Sequence, residues 1–95
     1  MSNLTIIDFH AEWCGPCKVL SPVLEKIEEK NPQVKITKIN VDEDRDLTAK
    51  FGVRNIPTVI FSKDGEVVER VVGAKPESFY QGIIDKILTS DESEG

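Results

Sequence analysis

Ninety-five residues, 39% hydrophobic and 31% charged, make one soluble globular domain able to bury a single core. Seventeen acids against twelve bases give a net charge of −5, which excludes the basic footprint of a nucleic-acid surface. No stretch has the length of a membrane span, so no membrane partner is expected. Met1-Ser2-Asn3 shows no basic end followed by an apolar run, so no secretory signal is read. Two cysteines without such a signal point to a reducing compartment, the cytoplasm, where a pair works chemically rather than as a staple.

Residues 4–9 are almost continuously apolar, as in a central strand covered on both faces. Asp8 interrupts them. A carboxylate there is costly unless it is neutral, paired, or half-solvated near the strand end. Enclosed by Ile6, Ile7 and Phe9, it would lose hydration and its pKa would rise. Next comes Trp13-Cys14-Gly15-Pro16-Cys17-Lys18, which holds both cysteines of the chain. Behind it Cys17, Leu20, Leu24 and Ile27 recur at helical spacing and predict a helix over 14–30. Cys14 therefore sits outward at a helix start, where unpaired N–H groups and the positive dipole end favour a thiolate. Cys17, one turn further, is near enough to close a small disulfide ring, a site that takes or gives two electrons. Half a zinc site could use the same spacing, but four ligands are usual and His10 is the one other candidate. Two buried structural thiols are the plainer alternative. Pro22 lies inside the helix and predicts a kink, and Asn31-Pro32 stops it.

Residues 34–41 alternate as a strand, with Val34 and Ile36 on one face and Ile39 and Val41 on the other. Strand, long helix, strand make a parallel βαβ unit with a right-handed crossover. A turn at 42–44 leads into a short helix over 45–51, with Asp44 as N-cap, Gly52 as stop, and Leu47 and Phe51 facing the core. Pro57 is tolerated at the start of a strand over 58–62. Lys63-Asp64-Gly65 turns into a strand over 66–72, making an antiparallel hairpin that Gly73 terminates. The last helix starts near Pro76, and its apolar face is Phe79, Ile83 and Ile87 with Tyr80, Ile84 and Leu88. Gly82 weakens it by about 1 kcal/mol relative to alanine, in exchange for close packing. Residues 89–95, polar and acidic, are expected to fray. Residues 1–95 thus read as a single domain with its core at about 4–88.

The motifs FHAEWCGPCK, KINVD, IPT, DGE and VVGA, in this order and spacing, closely resemble the thioredoxin family over residues 6–88. The resemblance implies an α/β, thioredoxin-like fold: a central four-stranded mixed sheet, βαβ-α-ββ-α, flanked by three helices. It implies a thiol–disulfide oxidoreductase that reduces protein disulfides, with no cofactor and no metal of its own. Cys14 as thiolate would attack the substrate disulfide, and Cys17 would then attack the Cys14 sulfur and release the reduced substrate. Asp8, at the position of a buried family aspartate, would handle the Cys17 proton, paired with Lys38. Trp13, Gly15, Pro16, Ile56, Pro57 and Gly73 would form the substrate surface. There Pro57 would be cis, the Ile56 backbone would pair with an extended substrate, and Gly73 would keep a side chain out of the groove. The implied partners are disulfide-containing proteins and a flavin-dependent reductase. The alternatives are a glutathione-linked or disulfide-isomerising relative, which the Gly-Pro spacer and Trp13 disfavour, and a binding subunit that uses the fold as a partner surface.

Three departures from the family pattern stand out. His10 occupies a position where most members carry tryptophan. It is either a half-exposed polar substitute or a charge that assists the Cys14 thiolate at mildly acid pH. Asn55 replaces the glycine common before Ile-Pro-Thr. The chain begins almost on the core strand, so the usual preceding strand and helix are expected to be missing. Strand 34–41 would then be a sheet edge defended by Lys35 and Lys38, in a monomer less stable than longer relatives.

Overall fold

The apolar run ahead of the cysteines becomes the centre of the sheet. In the computed structural model, which describes residues Leu4–Glu94, it forms β1 (Leu4–His10). There follow α1 (Gly15–Lys30), β2 (Val34–Asn40), α2 (Arg45–Lys50), β3 (Thr58–Lys63), β4 (Glu66–Val72) and α3 (Glu77–Glu94). The strand order is β2-β1-β3-β4, with β1 parallel to β2 and antiparallel to β3, and β3 antiparallel to β4. The expected four-stranded mixed sheet with three helices is the fold.

Alternation along β1 sends Leu4 and Ile6 to one face, where they meet Leu20, Leu24 and Ile27 of α1 and Tyr80 and Ile84 of α3, all buried. Phe9 faces the other way and packs on Phe51, just past α2, with ring centroids 5.6 Å apart. Helix α1 runs unbroken through Pro22. A proline inside a helix costs about 3 kcal/mol, and each of the three fully buried leucine and isoleucine side chains contributes about 1.5–3 kcal/mol, so packing holds the helix together. Its end is fixed by Asn31. The Asn31 amide donates to the Ile27 carbonyl (2.7 Å) and exchanges hydrogen bonds with Gln81 of α3 (2.8 and 2.9 Å). An exposed Lys30–Glu77 ion pair at 2.7 Å joins the same two helices, and its hydrogen bond lowers the Glu77 pKa.

Local signals govern the smaller elements. The Asp44 carboxylate caps α2 by accepting the Leu47 N–H (3.1 Å). Leu47 and Phe51 are half-buried, with Phe51 packed on the core side chain Phe9. In the β3–β4 hairpin both turn residues, Asp64 and Gly65, have positive φ (51° and 87°), the geometry that an Asp-Gly pair supplies for a two-residue turn.

Two expectations for α3 are corrected. Its buried face centres on Tyr80 and Ile84, flanked by Ile83, Ile87 and Leu88, while Phe79 is 45% exposed. One residue along a helix is a rotation of about 100°, which carries Phe79 off the stripe that Tyr80 and Ile84 define. Gly82 is not a close approach, because a Cβ built there meets nothing within 4 Å. The helical backbone continues through Glu94, past Leu88.

Strand β2 is an edge of the sheet among the described residues, with Lys35 and Lys38 exposed along it. One of its amides is already covered, because Ile36 N–H donates to the Glu28 carboxylate of α1 (3.0 Å). Amide exchange is therefore expected to be slow along β1, fast at the outward amides of β2, and intermediate at Ile36. The same experiment reads the expected fraying after Leu88. Protection of β2 equal to that of β1 would mean that another chain covers this edge.

Candidate active site

Between β1 and α1 the backbone turns so that Cys14 becomes the N-cap of α1, with φ −90° and ψ 107°. Its N–H donates to the Ala11 carbonyl (3.2 Å), and Cys17 N–H donates to Cys14 Sγ (3.2 Å). One of the helix's unpaired donors thus points at the first sulfur, the arrangement that stabilises a thiolate. Gly15 and Pro16 occupy the first turn, where proline's missing N–H is no loss. The two cysteines are joined as a disulfide, with Cα atoms 5.3 Å apart. Cys14 does not stand outward as expected. It is 4% exposed and Cys17 5%, because Ala11, Val41 and Ile56 pack around the pair. Among the described residues no three His, Cys, Asp or Glu side chains gather where a metal ion could sit.

Residues far apart in sequence meet around this pair. Trp13, 70% exposed, is anchored by its Nε1–H, which donates to Asp42 (2.8 Å). With Ile56, Val41, Val53 and Arg54 it lines a depression of about 150 Å³ beside the cysteines. The Ile56–Pro57 peptide is cis. The Pro57 carbonyl accepts the N–H of Gly73 (2.9 Å), whose φ of 94° belongs to the left-handed region that favours glycine. Tyr80 steadies that loop, its buried hydroxyl donating to the Gly73 carbonyl (3.4 Å) and accepting Lys75 N–H (3.0 Å). Burial pushes the Tyr80 pKa up. Asp42, Val53, Arg54 and Tyr80 were not read as site residues from sequence. Of these only Asp42 carried a signal, as the last residue of KINVD.

Asp8 lies behind the disulfide. It is 3% exposed, and its Oδ1 has no hydrogen-bond partner. Burial raises its pKa above the ordinary 3.8, while the charges of His10 and then Lys38 pull the other way. Lys38 is Asp8's register partner on β2, yet its ammonium donates to Ser21 Oγ (2.9 Å) and lies 3.7 Å from Glu25. Its influence on Asp8 is thus one of charge rather than contact. A cavity of about 330 Å³ connects Asp8 and Cys17 with His10, Glu12, Lys18 and Lys38.

The family model described as Thioredoxin matches residues 1–86. The chain is 48% identical over 87 residues to the thioredoxin of Bacillus subtilis (strain 168), covering 90% of this chain and 84% of that one. It is 47% identical over 85 residues to the thioredoxin of Chlamydia pneumoniae, covering 90% and 83%. Among solved structures, a mutant thioredoxin from Halobacterium salinarum NRC-1 superposes with a TM-score of 0.85 at 40% identity, covering 88% of this chain and 74% of that one. With the cysteine pair placed at a helix start and joined as a disulfide, the chain belongs to the thioredoxin family and is a protein-disulfide oxidoreductase that works by dithiol–disulfide exchange at Cys14 and Cys17.

Proposed function

We propose that this protein works as a monomer in the cytoplasm, reducing disulfides of other proteins with electrons from a flavin-dependent reductase of the thioredoxin-reductase type. The observation that carries the assignment of roles is the Cys17 N–H aimed at Cys14 Sγ. It favours Cys14 as the thiolate that forms a mixed disulfide with the substrate. Cys17 gives its proton to Asp8 and attacks the Cys14 sulfur. The Cys14–substrate bond breaks, the Cys14–Cys17 disulfide forms, and the departing substrate thiolate takes a proton from water. Two electrons pass to the substrate, and the reductase returns them. Trp13, Gly15, Pro16, Ile56, Pro57 and Gly73 form the surface on which an extended substrate segment lies, and Lys38 contributes positive charge beside Asp8. No described helix is long and apolar enough to cross a membrane, which accords with a freely diffusing carrier.

The test couples the protein to NADPH and a thioredoxin-reductase-type flavoenzyme, with a disulfide-bonded protein as substrate. Steady reduction is expected, with glutathione a poor replacement for the flavoenzyme. Turnover by glutathione at the same rate would move the protein to the glutathione-linked alternative. A Cys14→Ser, Cys17→Ser double variant that keeps the cellular role would make it a binding subunit.

A further inference from the structure

The tryptophan position of the family is filled here by His10, and the structure puts that imidazole in a particular place. Asp8 and His10 are two residues apart on β1, so both project from the same face of the strand about 7 Å apart along it. Both line the cavity that reaches Cys17, and Cys14 is not among its lining residues. His10 therefore stands beside the path to the second cysteine, which redirects the expectation that it serves the Cys14 thiolate.

Proton traffic is the problem of this cavity. Each turnover loads Asp8 with the Cys17 proton, and a carboxyl only 3% exposed, with Oδ1 unpartnered, exchanges poorly with bulk water. The other groups facing the cavity are unsuited to carry the proton. From β2, Lys38 is turned to Ser21 and Glu25 of α1, and an ammonium already holds its proton. From α1, Lys18 is a second ammonium, and Glu12, in the loop before it, is exposed at the rim. Tyr80 of α3 does not line the cavity, and its hydroxyl is engaged by Gly73 and Lys75. His10 is half-buried and lines the same cavity as the buried carboxyl. An imidazole gives and takes protons near neutral pH, and the cavity of about 330 Å³ that both side chains line has room for a bridging water.

We propose that His10 relays the proton between Asp8 and solvent, drawing it off Asp8 as Cys17 ionises for its attack. In the dithiol-to-disulfide direction the Cys17 proton passes to Asp8, then to the His10 imidazole, then to water. In the reductive direction it returns by the same route. No electrons move in the relay, and His10 acts through Asp8 rather than on the sulfurs. This rests on the roles assigned to Cys17 and Asp8 above.

The experiment mixes reduced protein with an aromatic disulfide reagent whose thiolate is coloured. One equivalent appears when Cys14 attacks and a second when Cys17 resolves the mixed disulfide, and the second phase is followed from about pH 6 to about pH 9. His10→Gln is expected to slow that phase about tenfold near neutral pH, less than the 10²–10⁴-fold of a direct acid–base group because Asp8 is still present. The imidazole inflection in the pH profile should vanish. Free imidazole should restore the rate in His10→Ala but not in Asp8→Asn. A His10→Gln profile matching the unsubstituted protein overturns the relay. So does a slowing that is uniform with pH and insensitive to imidazole, which marks a structural role. Failure of the underlying reading looks different: Asp8→Asn would then leave the second phase at its normal rate, or Cys14→Ser would release a first equivalent as fast as Cys17→Ser does.

Discussion

Replacing Cys17 with serine is expected to abolish multiple turnover while leaving the first attack intact, so that substrates accumulate as mixed disulfides on Cys14. Cys14→Ser should lose both. In each case the fall in steady-state disulfide reduction should be roughly 10³-fold or more, because members of one catalytic set are not independent. The asymmetry has a physical origin that exposure cannot supply, since the two cysteines are equally buried, at 4% and 5%. What separates them is the helix start. Cys14 Sγ receives the Cys17 N–H at 3.2 Å and lies at the positive end of α1, whereas Cys17 is within the first turn, on the cavity it shares with Asp8. In the reduced protein Cys14 should therefore alkylate faster than Cys17 near neutral pH, with a pKa below the free-thiol value of about 8.5. Both effects are read by mass spectrometry of partly alkylated protein at several pH values. Equal alkylation rates, or trapping by Cys14→Ser instead of Cys17→Ser, would reverse the assigned roles.

The parts of this molecule that were legible in its sequence are those governed by neighbouring residues. The Asp64-Gly65 turn, the Asp44 cap and the helix that starts at the cysteines each follow from a few consecutive side chains. The site cysteines were legible for the same reason. Long-range packing was not. Nothing in Asn31-Pro32 announces a reciprocal amide pair with Gln81, fifty residues on. Nothing beside Trp13 in the chain announces Asp42, twenty-nine residues on, as the acceptor of its indole N–H. Periodicity placed six apolar residues on the face of α3, but it could not say that the stripe centres on Tyr80 and Ile84 and leaves Phe79 outside. The direction of the Lys38 ammonium depended on Ser21 and Glu25, which only the packing of α1 beside β2 brings near. Motif resemblance supplied the candidates for the site, and the three-dimensional arrangement decided which of them touch.

Asp8→Asn is expected to make the protein more stable and slower at once. The side chain is buried among apolar neighbours, with one oxygen unpartnered, and burial holds its proton more tightly in the folded chain than in the unfolded one. A carboxyl whose pKa is raised on folding favours the native state most below its ordinary value of 3.8. As pH rises past that value and through the raised folded one, the favourable contribution is lost, and the buried charge then burdens the folded state. Asparagine keeps the size and removes the ionisation. Near neutral pH the variant should thus gain stability, about 1.4 kcal/mol for each pKa unit by which folding raises the carboxyl, and melt higher. The gain should shrink on acidification and disappear below about pH 4, where the native carboxyl is neutral in both states. The resolving step should fall about 10²-fold near neutral pH, because asparagine cannot take the Cys17 proton. Thermal melts across pH and the two-phase thiol release measure the two effects separately. A variant less stable at neutral pH would show that Asp8 is held by partners rather than burdened by burial. An unchanged second phase would remove Asp8 from the proton path. If both effects appear, the charge that weakens the fold is the same one that serves Cys17, and that explains why a carboxylate sits in the middle of an apolar strand.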